Sequence, residues 1–198
     1  MDKKSKRLIN NTIIFFIGSL GSKFIQFFLV PLYTYALTTE QYGVTEIVLT
    51  ASNVLMPVFS VSIADGLLRF GLDKNLKKED VLKNSMLIVL VGTILSIILA
   101  PLFQLYSGLN HWIICFLLIL NLRIYRDVFA INLKIHNKNM CFALDSIIYT
   151  FALCAFSVLF LTIFKMGIVG YFMSYIVANI ISIIYLNIVG TPIRDLLK

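Results

Sequence analysis

Charge is scarce in this 198-residue chain: Asp, Glu, Lys and Arg make up 14% of it, where a soluble domain carries about 25%. Such a chain cannot keep an ordinary water-facing surface, and its mean hydropathy of +0.90 points to a bilayer as solvent. Cysteine is nearly missing too. Cys115, Cys141 and Cys154 lie in or beside apolar runs without a CxxC pair, which excludes a disulfide frame or thiolate metal site and leaves them as small buried hydrophobes. The two histidines, His111 and His136, have no acidic residue at a useful spacing, and no DxD, HExxH, HxxxxD or Gly-rich phosphate loop occurs. The chain therefore reads as neither an enzyme nor a metal or cofactor protein. The longest polar segment, "RFGLDKNLKKEDVLKNS", has no room for a soluble catalytic domain. The net charge of +7 lacks a basic face interleaved with aromatics, so a nucleic-acid partner is not expected.

What the chain has is apolar length. Windows able to cross a bilayer fall at roughly 11–36, 42–66, 83–105, 109–131, 141–165 and 168–190. Backbone groups in lipid must be paired internally, so each window is expected to be a helix and the fold an all-α, six-helix polytopic membrane bundle, one unit over 1–198. "MDKKSKR" followed by an apolar run imitates a secretory signal, but the run continues to Leu37 without an A-x-A site and reads as a retained first span. The gaps alternate in charge. Lys3, Lys4, Lys6 and Arg7 precede span one; Arg69, Lys74, Lys77, Lys78 and Lys83 follow span two; Lys134 and Lys138 follow span four. The intervening gaps "LTTEQY" and "LYSGLNH" carry no Lys or Arg, and the next holds only Lys165. The positive-inside rule then puts both termini in the cytoplasm.

Span one contains an oddity: in "FFIGSLGSKFIQFFLVPLYTYAL", Lys23 sits near the centre. A charge there costs about 2.5–3.5 kcal/mol on insertion scales, and at about twelve residues from either end, roughly 18 Å, the ammonium cannot snorkel out. Ser19, Ser22, Lys23 and Gln26 recur at helical spacing, so they form one polar stripe that must face protein or water. Span two carries its own stripe, Glu46, Thr50, Asn53, Pro57 and Ser60, with a kink expected at Pro57. Spans five and six add Asp145 and Thr150, then Tyr171, Ser174, Tyr175 and Ser182. Polar edges on several helices suit a bundle lining a wet cavity.

Two readings of Lys23 stay open: a pathway cation, or an assembly contact paired with Glu46 or Asp145. The charges Asp65, Arg69, Arg123, Arg126 and Asp127 lie toward predicted cytoplasmic span ends. There Asp65 with Arg69, and Arg123 with Asp127, are spaced for ion pairs along one helix. Trp112, beside His111, reads as an interfacial aromatic anchor.

Several stretches carry a family resemblance. "PLYTYALTTEQYGVTEIV" resembles the first outer turn of bacterial polysaccharide-biosynthesis membrane proteins, the O-antigen and capsule flippases. "VFSVSIADGLLRF" is similar to their span-two exit, "LKIHNKNMCFALDSIIYTFAL" to the link into span five, and "KMGIVGYFMSYIVANIISIIYL" to span six. The resemblance implies the multidrug/oligosaccharidyl-lipid/polysaccharide exporter superfamily, whose fold is two six-helix lobes around a central cavity. It implies an undecaprenyl-pyrophosphate-linked oligosaccharide as substrate, flipped across the bacterial plasma membrane by alternating access, with Lys23 as the candidate contact for diphosphate or acidic sugars. Family members have twelve or more spans, so six suggest the N-terminal lobe alone: a truncated chain, a split gene, or a half-transporter that dimerises. The alternatives are a drug/cation antiporter lobe of the same superfamily and a non-transporting membrane protein.

Overall fold

The computed structural model describes residues 27–73, 75–104, 111–190 and 192. Among them every regular element is helical. In chain order these are α1 (Phe27–Ala36), α2 (Thr39–Ser60), α3 (Ile63–Gly71), α4 (Lys78–Ile98), α5 (Ala100–Gln104), α6 (Ile113–Ile135), α7 (Asn139–Ile163) and α8 (Gly167–Gly190). Four of them, α2, α4, α7 and α8, are long and apolar enough to cross a membrane. α6 has the length, but Arg123, Arg126 and Asp127 interrupt its apolar run. Among the described residues the chain is thus all-helical and membrane-compatible, with four helices able to span by length and composition.

Its polarity runs inside out. Leu87, Leu90, Val91, Ile94, Ile97 and Ile98 stand exposed along α4, as do Phe151 on α7 and Ile184 and Ile188 on α8. Meanwhile Thr45, Ser52, Ser85, Ser96, Asp145, Thr150, Ser157, Ser174, Asn179 and Ser182 are buried. Water would penalise such an apolar belt, whereas lipid solvates it and hydroxyls are better bonded within the bundle.

Local chemistry sets the helix ends. Thr38 and Gln41 form a reciprocal capping box that starts α2: Gln41 N–H donates to Thr38 Oγ1 at 3.2 Å and Thr38 N–H to Gln41 Oε1 at 3.1 Å. α2 runs unbroken through Pro57 and stops one turn later, where Val61 and Ser62 both adopt left-handed backbone. There Ser62 N–H donates to Pro57 O and Val61 N–H to Val58 O, a Schellman closure with valine in the place glycine usually takes. The span expected to continue to residue 66 is therefore broken one turn after Pro57. Proline removes only its own N–H, and its carbonyl is free to accept the closing bond. α6 ends the same way through Asn137, a residue that tolerates φ of 57°. α7 closes in a π-helical turn, Leu159–Ile163, before α8 begins.

α8 packs along α7 and α6, α2 lies against α6, and α3 wedges between α4 and α6. The core between them holds Leu67, Leu82, Phe116, Ile124, Leu133, Leu153, Phe172 and Leu186. At Gly92 of α4 a side chain would run into the carbonyl of Phe59, so glycine allows α4 and α2 to touch backbone to backbone. Two lysines close helix ends: Lys78 Nζ donates to Ile135 O at 2.6 Å and Lys138 Nζ to Val189 O at 2.8 Å.

Candidate functional site

A cation in an apolar interior must be bonded or hydrated, and the sequence places Arg126 halfway along α6. Its guanidinium is held from three sides. Nη2 donates to Asp145 Oδ2 of α7 at 2.8 Å, Nε donates to Ser182 Oγ of α8 at 2.6 Å, and its plane lies 3.9 Å from the Tyr149 ring centroid. Ser182 Oγ in turn donates to Asp145 Oδ1, closing a ring of bonds among α6, α7 and α8. Among the described residues Arg126–Asp145 is the only ion pair. Asp145 is 2% exposed and Arg126 is 21% exposed, so the carboxylate is sealed while the guanidinium keeps an open side.

That open side faces a pocket of about 230 Å³ between α2, α6 and α7. Arg123, Arg126 and Asp127 line it from α6, Phe142, Asp145 and Ser146 from α7, and Met56 from α2. Asp127 lies in the fields of Arg126, Asp65, Lys134 and Arg123. The pocket is of mixed sign: two guanidiniums, two carboxylates, and one carboxylate already spent on Arg126. Arg126 has five N–H donors and uses two on the protein, so it can still bond an anion or hydroxyl acceptor.

Next to the pocket, the expected stripe of α2 is on the surface. Glu46, Thr50, Asn53 and Pro57 are all exposed, whereas Ser60, the last member of the stripe, is buried, as are Val48, Leu49 and Ser52 on the opposite face. Asp65 and Arg69 are exposed on α3, and Arg69 lies 5.9 Å from the Phe70 ring. Ser19, Ser22, Lys23 and Gln26 lie outside the described residues. The structure thus brings Asp145, Arg123, Arg126 and Asp127 together, and leaves Glu46, Thr50 and Asn53 on a neighbouring face.

A second polar cluster joins α1, α7 and α8. Ser174 Oγ donates to Tyr171 O at 2.7 Å and Ser157 Oγ to Ser174 Oγ at 3.1 Å. Ser157 has then spent its proton, so Tyr33 is the donor in the 3.0 Å Tyr33–Ser157 bond. The Tyr33 and Tyr171 rings meet edge to face at 4.6 Å, with Tyr175 at 5.1 Å from Tyr171. Tyr33 and Ser157 were missed from sequence because hydroxyls in an apolar window show no spacing of their own. The Arg126–Asp145 pair was missed too, although it carried a signal. A helical hairpin folded at 136–138 sets both residues at similar depth on facing helices.

Compared with protein-family models, curated proteins and solved structures, the chain matches none.

Proposed function

We propose that this chain forms one lobe of a membrane translocator that flips polyprenyl-diphosphate-linked oligosaccharides between leaflets. One observation carries most weight. An otherwise lipid-suited bundle exposes the polar stripe Glu46–Thr50–Asn53 beside a pocket holding two guanidiniums. Such a face is costly against hydrocarbon and is expected to meet water or a partner lobe. The likeness of the four sequence stretches to O-antigen and capsule flippases supports the same reading, as does Lys23 in the middle of its apolar run.

In this reading the bundle has six spans. The window expected at 11–36 is the first, α2 with α3 makes the second, and α4, α6, α7 and α8 complete the set. α6 is tolerated because Arg126 is neutralised by Asp145 and turned inward. The ammonium of Lys23 attracts the diphosphate as a point charge, and Asn53 and the hydroxyls bond sugars. A second lobe or a second copy supplies the facing wall. Transport then requires that the diphosphate be held more tightly in the inward-facing state than in the outward-facing one. The cell is bacterial, the membrane its plasma membrane, and both termini are cytoplasmic.

The test is complementation in cells lacking the gene. Lys23→Ala, present in the membrane at normal level, is expected to abolish surface polysaccharide. Full polysaccharide from that variant rejects the role. A drug/cation antiporter is the competing reading, favoured by the exposed carboxylate of Glu46. It predicts drug resistance that Glu46→Gln removes and Lys23→Ala spares.

A further inference from the structure

Beyond the break at Val61–Ser62, α3 and the first half of α4 enclose a groove of about 500 Å³. Its walls are mostly apolar, with Ile63 and Phe70 from α3 and Val81 and Ile88 from α4, and Asn84 and Ser85 add polar atoms between the last two. Gly66 adds room, since a side chain there would meet only Ile63 Cδ1 at 3.5 Å. The groove is open along its side, next to exposed Phe70, Leu76 and Leu87. A slot opening through an apolar belt onto lipid is filled by an acyl chain. From Lys77 to Ile88 it runs about 16 Å along α4, and its volume lies in the range of ligand pockets.

The far end of the groove is polar and lies where basic residues gather, at headgroup level. Lys77 and Asp80 stand there about one turn apart at the start of α4, both exposed, and neither forms an ion pair among the described residues. Lys78, next in sequence, is withdrawn from the site by its bond to Ile135 O. With Cβ atoms about 5–6 Å apart, an ammonium and a carboxylate unpaired among the described residues complement a headgroup bearing both a phosphate and a primary ammonium. A purely anionic headgroup would leave Asp80 facing like charge. We propose that the α3–α4 groove binds one phospholipid of the phosphatidylethanolamine type. Its phosphate meets Lys77, its ammonium meets Asp80, and an acyl chain lies between Ile63, Phe70 and Ile88. The site does not depend on whether the bundle translocates anything.

The experiment is native mass spectrometry of the full chain, released from micelles doped with phosphatidylethanolamine, phosphatidylglycerol or phosphatidylcholine of identical acyl chains. Wild type is expected to retain phosphatidylethanolamine about fivefold better than either of the others, the scale of an exposed ion pair. Phosphatidylcholine tests the ammonium contact because its methylated nitrogen cannot donate a hydrogen bond. Asp80→Asn should abolish the preference over phosphatidylglycerol, and Lys77→Ala should lower retention of both by about fivefold. Glu40→Gln, at the other end of α2, should change nothing. Gly66→Leu should block all three by filling the groove; should that variant fail to fold, the two headgroup variants still decide. Equal retention of the three lipids, preference for phosphatidylglycerol, or indifference to Lys77→Ala and Asp80→Asn overturns the proposal.

Discussion

At the scale of single residues, Arg126 is where charge and packing meet. Removing one member of a buried ion pair strands the other, at a cost of about 3–5 kcal/mol, whereas replacing both with apolar residues of similar size is often neutral. Asp145→Ala and Arg126→Ala should therefore each lower the midpoint of thermal unfolding in detergent, and Arg126→Met with Asp145→Leu should recover most of the loss. Equal destabilisation by the single and double variants would show that the contacts to Ser182 and Tyr149 matter more than the charge pair. Sequence spacing pointed instead to Arg123 with Asp127, because i,i+4 arithmetic sees only partners on one helix. Arg126 and Asp145 are nineteen residues apart and meet only once α6 and α7 fold back on each other. The depth of a lone carboxylate in "FALDSII" was legible; the identity of its partner required the hairpin.

At the scale of elements, the joint between α2 and α3 stores strain. Val61 has φ of 51° and Ser62 of 48°, and left-handed backbone costs a non-glycine residue about 1–2 kcal/mol. Val61→Gly should relieve that strain, less the extra chain entropy glycine loses on folding, for a net gain of up to about 1 kcal/mol. Val61→Pro cannot reach the required φ and should destabilise. Scanning calorimetry of the two variants in matched micelles checks the sign; a loss with glycine would mean that the Val61 side chain contributes more by packing than the backbone loses by strain. The apolar windows located α7 and α8 to within two residues, since hydropathy alone fixes where lipid can be, but the window at 83–105 began five residues late for α4 and ran on through α5. They ran α2 and α3 together, because the turn is made by Val and Ser, residues without a turn signature, and Pro57 suggested only a kink within one span.

For the whole molecule, the question is which surface meets lipid and which meets water. Cysteine placed at Asn53, on the exposed polar face of α2, should react readily with a membrane-impermeant maleimide in proteoliposomes. Cysteine at Ile94, in the apolar belt of α4, should not. Equal protection would mean that a dry partner covers the α2 face. Composition made the membrane class legible from the start, because a chain with so few charges has no other stable solvent. It did not reveal how the lysines are spent. Lys78 and Lys138 each tie the end of one helix to another by donating to a terminal carbonyl, whereas Lys77 makes no ion pair among the described residues. An amine engaged in this way is a poor nucleophile. Mild acylation of the folded protein should therefore label Lys77 well before its neighbour Lys78, and unfolding should erase the difference, so that two adjacent side chains of one type report whether α4 is docked on the end of α6.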